Sequence, residues 1–451
     1  MKKNDIQRVR IERLTTRGKG YAVIEKRRLE VSGAMPGDLV DVRILGMKRH
    51  SARVRVEEII EEGIERIEPQ CQHFGICGGC VWQNVPYEAQ CRLKAGMVER
   101  ALASMPGENA PGDIECTPSP DTFFYRNKME FSFDAPPRDG FVTMLGLHEA
   151  GRFDSVFNLE RCLLQSEISN HVVCRTRDFA LEHGLSVYGL KTHLGLLRFL
   201  TIRDGKNTGD LMVNLVTSGD DFPLVGDYAA MIGDIGDGMT TIMRSINSSK
   251  GSVAIGDECD ILSGNGMITD RIGDYSFRIS PNSFFQTNTS QAHNLYEAIR
   301  SFCRLDGTQR LLDLYCGTGT IGIYCSSEAK SVTGIELVES AVQDARVNVE
   351  LNNVDNCMFI AGQVEKILHE DTGKFDVVVC DPPRAGIHPK AMDTLLRMRI
   401  PRMVYVSCNV RALPEDLATL SLAGYVIRDV AVFDMSPHTP HVETVVLLEI
   451  E

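Results

Sequence analysis

Short runs of alternating apolar and polar residues occupy the first part of the chain. Residues 1–62 contain four such runs, IQRVRIERLT, GYAVIEK, DLVDVRILG and SARVRVEEII, with turns such as RGKG and AMPGD between them. Alternation with a period of two predicts strands that bury one face, and evenly spaced short strands are typical of a small barrel. We therefore predict an N-terminal β-barrel of OB type over residues 1–62.

A second pattern begins at about residue 281, where apolar runs are separated mostly by helical or loop segments. The runs are RLLDLYC, SVTGIELV, NCMFIAG, FDVVVCD and RMVYVSC, and two more strands, GYVIRDVAVFDM and HVETVVLLEIE, follow close together. Strands alternating with helices predict a Rossmann-like, doubly wound α/β sheet with helices on both faces. We assign residues 281–451 to this domain and residues 63–280 to a central domain of mixed α/β sequence.

Composition and charge narrow the class of protein. The chain of 451 residues is 43% hydrophobic and 24% charged, as expected for a globular protein. Its first residues lack the apolar core of a secretory signal, and no long apolar run predicts a membrane span, so we expect a cytoplasmic location and no membrane partner. The net charge of −13 argues only weakly against a nucleic-acid partner, because polyanion binding depends on local basic patches.

Three cysteines lie close together in the segment CQHFGICGGC. Cys71, Cys77 and Cys80 have the spacing C-x5-C-x2-C in a chain of 14 cysteines. Without an export signal, metal binding or catalysis is a better explanation of this usage than a disulfide framework. A metal site of this kind usually needs a fourth ligand, and spacing alone leaves Cys91 and Cys116 as near candidates.

A glycine-rich turn follows the first apolar strand of the α/β domain. The segment DLYCGTGTIG spans residues 313–322, and its glycines allow a tight turn and close approach of the backbone to a ligand. The next strand ends at Glu336, 19 positions after Gly317, where a carboxylate can hydrogen-bond ribose hydroxyls. The glycine spacing is not that of a dinucleotide site, so we predict S-adenosylmethionine rather than NAD. A turn without any ligand is the alternative.

Reactive side chains follow the later strands of the same domain. Asp381 in DPPRAG follows the fourth strand and Cys408 in VYVSCNV follows the fifth, so both are predicted at the sheet edge that carries the glycine turn. Cysteines at strand ends are usually buried apolar filler, but Cys408 leads into a polar loop that can stabilise a thiolate. Glu443 begins the last strand and is predicted at this edge too; a solvent-exposed acid is the alternative.

Together these motifs resemble the RNA uracil-C5 methyltransferase family over nearly the whole chain. SFFQTN, DLYCGTGTIG, GIE, DPPR, VYVSCN and PHTPHVE occur in the family's order, after a barrel and a cysteine-bearing middle. The arrangement is similar to members that carry a TRAM domain and modify large-subunit ribosomal RNA. The resemblance implies a TRAM barrel at 1–62, an iron–sulfur domain at 63–280 and a methyltransferase domain at 281–451.

The resemblance also implies the ligands of a metal site. Family members hold a [4Fe–4S] cluster on four cysteines, and Cys71, Cys77 and Cys80 match the closely spaced group. Cys162, in NLERCLLQ, matches the distant fourth ligand. Zinc is the chief alternative, because four cysteines suit it as well.

The same family match implies catalytic and cofactor-binding roles. Cys408 matches the nucleophile that adds to C6 of uracil, and Glu443 matches the base that removes the C5 proton. The residues expected to contact S-adenosylmethionine or to lie beside it are Gln286, Tyr315, Glu336 and Asp381. One departure is Val410, which stands where many relatives have proline and raises the question of how rigid the nucleophile loop is.

The implied function is methylation of uridine C5 in 23S ribosomal RNA, either naked or in a ribosomal precursor. The same reaction on transfer RNA is the main alternative. Outside the enzyme class, the alternatives are a catalytically silent RNA-binding protein with an iron–sulfur cluster and a redox protein. The redox alternative leaves the glycine turn, DPPR and Glu443 unexplained. Cytosine-C5 methylation is disfavoured because those enzymes usually have proline where this chain has Ser407. No obligate protein partner is evident.

Overall fold

The computed structural model describes residues 2–105, 112–135, 143–236, 238–369 and 374–450. The chain divides into two compact units. The first comprises Met1–Gln70, Cys80–Ser119 and Leu368–Glu451, and the second comprises Cys71–Gly79 and Pro120–Ile367. Across the described residues, none of the helices combines the length and the apolar character needed to cross a membrane.

The first unit begins with a sheet formed by residues 6–61, all of which are described. Its strands are β1 (Ile6–Arg10), β2 (Arg13–Leu14), β3 (Gly20–Ile24), β4 (Arg27–Val31), β5 (Leu39–Met47) and β6 (Ser51–Glu61). They pair in the order β1-β5-β6-β4-β3-β2, and only β4 and β6 are parallel. The segment between β1 and β2 bonds to both sides, because the amide of Ile11 donates to Asp38 and that of Glu12 donates to Tyr21. The sheet therefore curls around fully buried side chains such as Leu29.

This sheet contains a strand that the sequence pattern did not predict. β4 follows β3 through a turn at Glu25 and Lys26, whose φ angles are 44° and 65°. Hairpin turns with such angles usually contain glycine or asparagine, so this one carries no recognisable turn signal. The run predicted as one first strand also divides, into β1 and β2. The predicted third and fourth strands correspond to β5 and β6.

The first unit continues with α1 (Tyr87–Leu102) and β7 (Cys116–Thr117). The second unit then contributes a seven-stranded sheet among its described residues. Its strands are β8 (Lys128–Asp134), β9 (Met144–His148), β10 (Val156–Asn158), β11 (Leu197–Asp204), β12 (Leu211–Thr217), β13 (Met239–Ile246) and β14 (Glu258–Ser263). Their order is β10-β9-β8-β11-β12-β13-β14. Two helices, α2 (Glu167–Glu182) and α3 (Val225–Gly233), pack against it.

The rest of the second unit is the part that carries the glycine turn. Its elements are β15 (Ile268–Ile272), β16 (Tyr275–Ile279), α4 (Thr289–Cys303), β17 (Arg310–Leu314), α5 (Thr320–Cys325), β18 (Ser331–Glu336), α6 (Glu339–Leu351), β19 (Cys357–Ala361) and α7 (Val364–Ile367). The strands β17, β18 and β19 are parallel neighbours. Their carboxyl ends consequently share one edge, and the turn from β17 to α5 lies there.

The C-terminal part of the first unit carries the predicted reactive residues. Its elements are β20 (Val377–Cys380), α8 (Pro389–Met398), β21 (Arg402–Ser407), α9 (Leu413–Leu422), β22 (Tyr425–Phe433) and β23 (Glu443–Ile450). β20 and β21 are parallel, whereas β23 lies antiparallel between β21 and β22, and β7 pairs with β22. Each apolar run predicted after residue 281 is a strand. The α/β class of this region is therefore confirmed.

Candidate active site

The carboxyl ends of β17 and β18 hold the predicted cofactor turn. The amide of Tyr315 donates to the carbonyl of Ile335 at 2.9 Å, and the amide of Gly317 donates to the carboxylate of Glu336 at 3.0 Å. The second oxygen of Glu336 accepts from the amide of Val338 at 2.9 Å. Backbone amides thus fix the carboxylate of Glu336 against the glycine turn.

Neighbouring side chains crowd the turn at Gly319, whereas the space beside Gly317 is open. Tyr315 has a φ of 63°, which is uncommon for a residue with a side chain and occurs where the surrounding structure imposes it. Gly319 has a φ of 77°, and a Cβ atom there would lie 2.6 Å from Cζ of Phe359. A Cβ at Gly317 would meet nothing within 4 Å. A ligand can therefore approach the backbone at Gly317.

Gln286 lies between β16 and α4, in a segment tied to α6. Ser283 in this segment donates its hydroxyl hydrogen to Asp344 of α6 at 2.7 Å. One helical turn later, Asn348 donates to the carbonyl of Thr318 in the glycine turn at 3.2 Å. The same helix therefore anchors the segment that carries Gln286 and the turn that carries Gly317.

Within the first unit, Asp381, Cys408 and Glu443 meet at one sheet edge. Asp381 follows β20 and Cys408 follows the parallel strand β21. β23 runs antiparallel and pairs Thr444 with Ser407, so Glu443 at its start lies beside the end of β21. Glu443 is 8% exposed and the Cys408 thiol is half-buried. Antiparallel pairing of β23 thus brings the acid and the thiol to the same edge.

Burial raises the pKa of all three groups, and neighbouring carboxylates add to the shifts of Glu443 and Cys408. Burial raises the pKa of Asp381 to about 7. Burial, reinforced by Asp381, raises the pKa of Glu443 well above its ordinary value, and Arg384 opposes this shift. Burial also raises the pKa of Cys408, with smaller contributions from the charges of Glu443 and Asp381. Each of these groups is therefore harder to deprotonate than it would be in water.

Arg384, the last residue of the DPPR motif, is a site residue that the sequence pattern did not single out. Its guanidinium hydrogen-bonds the Cys408 thiol, and its charge lowers the pKa of that thiol against the two carboxylates. A cation next to a strand-end cysteine is the feature that stabilises a thiolate. The signal was available in the motif, but only the folded chain shows that Arg384 faces Cys408.

The loop after Cys408 has valine at position 410, where many relatives have proline, and side-chain hydrogen bonds hold this loop instead. The amide group of Asn409 donates to the carbonyl of Arg384 at 2.7 Å, and its oxygen accepts from the amide of Arg411 at 3.1 Å. The side chain of Val410 is buried. The position of the nucleophile loop is therefore constrained by Asn409 and Val410.

Helix α1 anchors the segment that leads into Glu443. The ammonium of Lys94 donates to the carboxylate of Asp434 at 2.5 Å and to the carbonyl of Ser436 at 3.0 Å. Both charged side chains are 0% exposed. Gln90 of the same helix accepts a hydrogen bond from the amide of His438 at 2.8 Å. A buried ion pair breaks only at a cost of several kcal/mol, so it fixes this segment firmly.

The cysteine loop docks against the end of β9 in the second unit. Cys77 forms a β-bridge with Glu149. The ring of His73 packs against that of Phe157 in a tilted arrangement with centroids 4.9 Å apart, and its Nε2 accepts from the amide of Glu160 at 3.2 Å. These contacts bring the cysteine loop to the chain segment that precedes Cys162.

Two of the predicted metal ligands, Cys71 and Cys77, affect the pKa of a third, Cys162. Burial raises the pKa of Cys162 to about 11, and the charges of Cys77 and Cys71 add to this effect. The amide of Gly79 lies 3.4 Å from the sulfur of Cys77. Within the described residues, no group of three or more His, Cys, Asp or Glu side chains is arranged to hold a metal ion. Cys80 is half-buried and opens the next segment of the first unit.

Cys91 and Cys116, the alternative candidates for the fourth metal ligand, contact each other instead. The thiols of Cys91 in α1 and Cys116 in β7 share a hydrogen bond, which lowers the pKa of Cys91 and, together with burial, raises that of Cys116. Both belong to the first unit, whereas Cys71, Cys77 and Cys162 belong to the second.

Comparison with known proteins shows similarity along the whole chain. Residues 246–451 match the family described as tRNA (uracil-5-)-methyltransferase. An RNA methyltransferase of Chlorobaculum tepidum is 40% identical over 442 residues, covering 93% of this chain and 91% of that protein. One of Clostridium tetani is 38% identical over 451 residues, covering 99% and 98%.

A solved structure agrees in fold as well as in sequence. The tRNA (uracil-54, C5)-methyltransferase of Pyrococcus abyssi, in complex with S-adenosyl-L-homocysteine, is 30% identical to this chain. The TM-score is 0.78, and the alignment covers 98% of this chain and 100% of that one. The likeness thus extends well beyond the cofactor-binding region. Because full-length relatives and a full-length fold agree in this way, the chain belongs to the RNA uracil-C5 methyltransferase family, whose enzymes use S-adenosylmethionine.

Proposed function

We propose that this enzyme methylates C5 of a uridine in 23S ribosomal RNA, with Cys408 as nucleophile and Glu443 as general base. The observation that carries the proposal is that Cys408, Glu443, Asp381 and Arg384 lie at one sheet edge, where the other three groups shift the pKa of Cys408. Covalent catalysis needs a thiolate and a base at a single site, and this cluster supplies both.

The first step needs the Cys408 thiolate. C5 of uracil is too weak a nucleophile to react unaided, and a bond from the Cys408 sulfur to C6 turns the ring into an enolate with electron density at C5. Arg384 favours the thiolate because it hydrogen-bonds the sulfur and opposes the two carboxylates. A base stacked in a helix is out of reach of the thiolate, so the target uridine is either single-stranded or flipped out.

The last step needs Glu443 as its carboxylate. Once C5 is methylated it still holds its proton, and Glu443 accepts this proton while the bond between C6 and Cys408 breaks. Burial and Asp381 raise the pKa of Glu443, which makes its carboxylate a stronger base than one in water. The proton ends on Glu443, and the electron pair of the C–S bond returns to Cys408.

The cofactor residues are proposed from the family match and supported by their surroundings. Bound S-adenosylmethionine supplies an electrophilic methyl group. The open backbone at Gly317 and the fixed carboxylate of Glu336 suit the ribose and the adjoining part of an adenosyl ligand. We propose the full set of contacts as Gln286, Tyr315, Glu336 and Asp381.

We also propose the three predicted domains, with residues 1–62 as an RNA-binding TRAM barrel, 63–280 as an iron–sulfur domain and 281–451 as the catalytic domain. The [4Fe–4S] ligands proposed are Cys71, Cys77, Cys80 and Cys162. Support comes from the proximity of three of these thiols, and from backbone amides of Gly79, Leu164 and Gln165 that donate to sulfur, as cluster sulfurs require. The cluster is proposed as structural or RNA-positioning, and iron analysis tests it.

A methylation assay with two RNA substrates tests the function. Anaerobically purified protein would be incubated with methyl-labelled S-adenosylmethionine and either unmodified 23S ribosomal RNA or unmodified transfer RNA, and the labelled nucleoside would then be identified. We expect 5-methyluridine in ribosomal RNA, and no label with Cys408→Ala, which should still bind the cofactor. Normal turnover by Cys408→Ala would refute the covalent mechanism.

Transfer RNA is the second candidate substrate. The relative from Pyrococcus abyssi is a tRNA methyltransferase that aligns with 98% of this chain, and this similarity supports the alternative. Label in transfer RNA alone would keep the chemistry and change the substrate. Absence of 5-methyluridine from both RNAs and from ribosomal precursors would contradict the proposed function.

A further inference from the structure

A basic pocket adjoins the nucleophile loop in the first unit. Three chain segments line it: β2 with the residues after it, the C-terminal end of α1, and the loop between Cys408 and α9. Its volume is about 490 Å³, within the range of small-ligand sites. The polar groups that line it are Arg13, Thr15, Thr16, Arg100, Ser104 and Arg411.

The positive charge of the pocket is only partly compensated, because Glu99 is the one described carboxylate whose charge raises the pKa of Arg100. Among the described residues, no carboxylate lines it, and none of Arg13, Arg100 and Arg411 forms an ion pair. Glu99 is adjacent to Arg100 in sequence, but its carboxylate accepts a hydrogen bond from the amide of Ile114. The carbonyls at the C-terminal end of α1 add only about half a negative charge, against three positive side chains. An anion would therefore be attracted.

Two of the arginines, Arg13 and Arg100, lie close enough for their charges to interact. The guanidinium of Arg13 lies 3.9 Å from the centroid of the Tyr21 ring, which fixes its position. Burial, and next the positive charge of Arg13, lower the pKa of Arg100. The chain thus maintains repulsion between two cations, which a bound anion would relieve.

The location of the pocket indicates which anion it takes. Arg411 is three residues after Cys408, so their Cα atoms are at most about 11 Å apart. Its backbone amide is bonded to Asn409, which in turn holds Arg384. A group bound beside Arg411 therefore contacts the loop that carries Cys408. Because the whole protein carries a charge of −13, a polyanion needs such a local positive site.

We propose that this pocket, bounded by Arg13, Arg100 and Arg411, binds a backbone phosphate of the RNA strand next to the target uridine. The proposal rests on the proposed function for the identity of the strand. A guanidinium group can donate two parallel hydrogen bonds to phosphate oxygens, and the hydroxyls of Thr15 and Thr16 are further donors. The bound phosphate positions the nucleotide that presents the base to Cys408.

The test is the salt dependence of RNA binding. A fluorescein-labelled oligouridylate would be titrated with the protein over a range of salt concentrations. For single strands the slope of log affinity against log salt changes by about 0.7 for each phosphate contact. Arg13→Gln/Arg100→Gln should reduce the slope by about this amount, with S-adenosylmethionine binding unchanged. Arg13→Lys/Arg100→Lys should keep most of it.

A matched control removes the same charge elsewhere on the curled sheet. Arg8 and Arg10 are paired with Asp41 and Glu61, so Arg8→Gln/Arg10→Gln should leave the slope unchanged. Equal slopes for the pocket and control variants would overturn the proposal. The proposal would also be overturned if the wild-type protein bound inorganic phosphate and the Arg13→Gln/Arg100→Gln variant did not, while both proteins had the same salt slope for RNA. If wild type fails to methylate RNA but the slopes differ as expected, the proposed function fails and the phosphate site stands.

Discussion

At the scale of single residues, the site places two acids beside a thiol at a partly buried sheet edge. Asp381 and Glu443 each raise the pKa of Cys408, and Asp381 raises that of Glu443. Arg384 is the cation that offsets them. The arrangement makes a basic carboxylate available for proton removal, and it makes the thiol depend on Arg384 for ionisation.

Activity should therefore increase as pH rises through the neutral range. Cys408 and Glu443 both act in the deprotonated form, and both have a pKa above the ordinary value, so the active fraction grows with pH. Glu443→Gln should stall the reaction before elimination and accumulate a protein–RNA adduct on denaturing gels. Adduct formation should also begin at lower pH, because a charge that raises the pKa of Cys408 is gone.

The control for this prediction is Glu449→Gln on the same strand. Glu449 is paired with Arg402 toward the other end of β23, so its loss should neither trap an adduct nor shift the pH profile. If Glu443→Gln turns over without a trapped adduct, another group removes the proton.

At the scale of elements, α9 clamps the two loops that carry the reactive residues. Asp416 of α9 accepts from the amide of Ile387, after the DPPRAG loop, at 2.9 Å and from the hydroxyl of Tyr405 in β21 at 2.6 Å. A Cβ at Gly386 would lie 2.5 Å from its carboxylate, so glycine permits the close approach. One side chain therefore links the loop of Asp381 to the strand that ends before Cys408.

Asp416→Ala should destabilise the protein by about 2–3 kcal/mol and lower the rate of methylation. The amide of Ile387 and the buried hydroxyl of Tyr405 would both lose an acceptor. Urea unfolding and initial rates would measure the two effects. Asp416→Asn, which keeps an acceptor oxygen of the same size, is the matched control and should lose clearly less. Equal losses for both variants would show that the charge, not the hydrogen bonds, matters.

At the scale of the whole molecule, each compact unit is assembled from segments far apart in the chain. The first unit combines residues before 120 with residues after 367, and the Lys94–Asp434 pair and the β7–β22 pairing join them. The second unit recruits the short segment Cys71–Gly79 to residues after 120. A cluster bound between Cys71 and Cys162 would close a long loop, and closing long loops stabilises a fold most.

Removal of one proposed cluster ligand should therefore affect iron content and stability together. Anaerobically purified protein should be brown, and Cys162→Ser should lose most of its iron and melt at a lower temperature. Cys91→Ser is the matched control. The Cys91 thiol hydrogen-bonds the Cys116 thiol within the first unit, so this variant should keep the iron. A colourless protein that contains zinc would contradict the cluster assignment.

The sequence alone determined the α/β strands after residue 281, the family, and the edge on which Asp381, Cys408 and Glu443 were expected. Apolar strands and glycine turns are local patterns, so they can be read without coordinates. The β3–β4 hairpin could not be read, because Glu25 and Lys26 adopt their turn angles only within the curled sheet.

Only the tertiary structure decided how distant residues act on each other. Arg384 was visible in DPPR, but its effect on Cys408 depends on the neighbouring ends of β20 and β21. The hydrogen bond between the thiols of Cys91 and Cys116 joins two segments that are separated in sequence. The buried ion pair of Lys94 and Asp434 does the same, so neither contact can be read from the sequence. The three arginines of the basic pocket come from three separate segments for the same reason. Electrostatic interactions act through space, and spatial proximity between distant segments is created by folding.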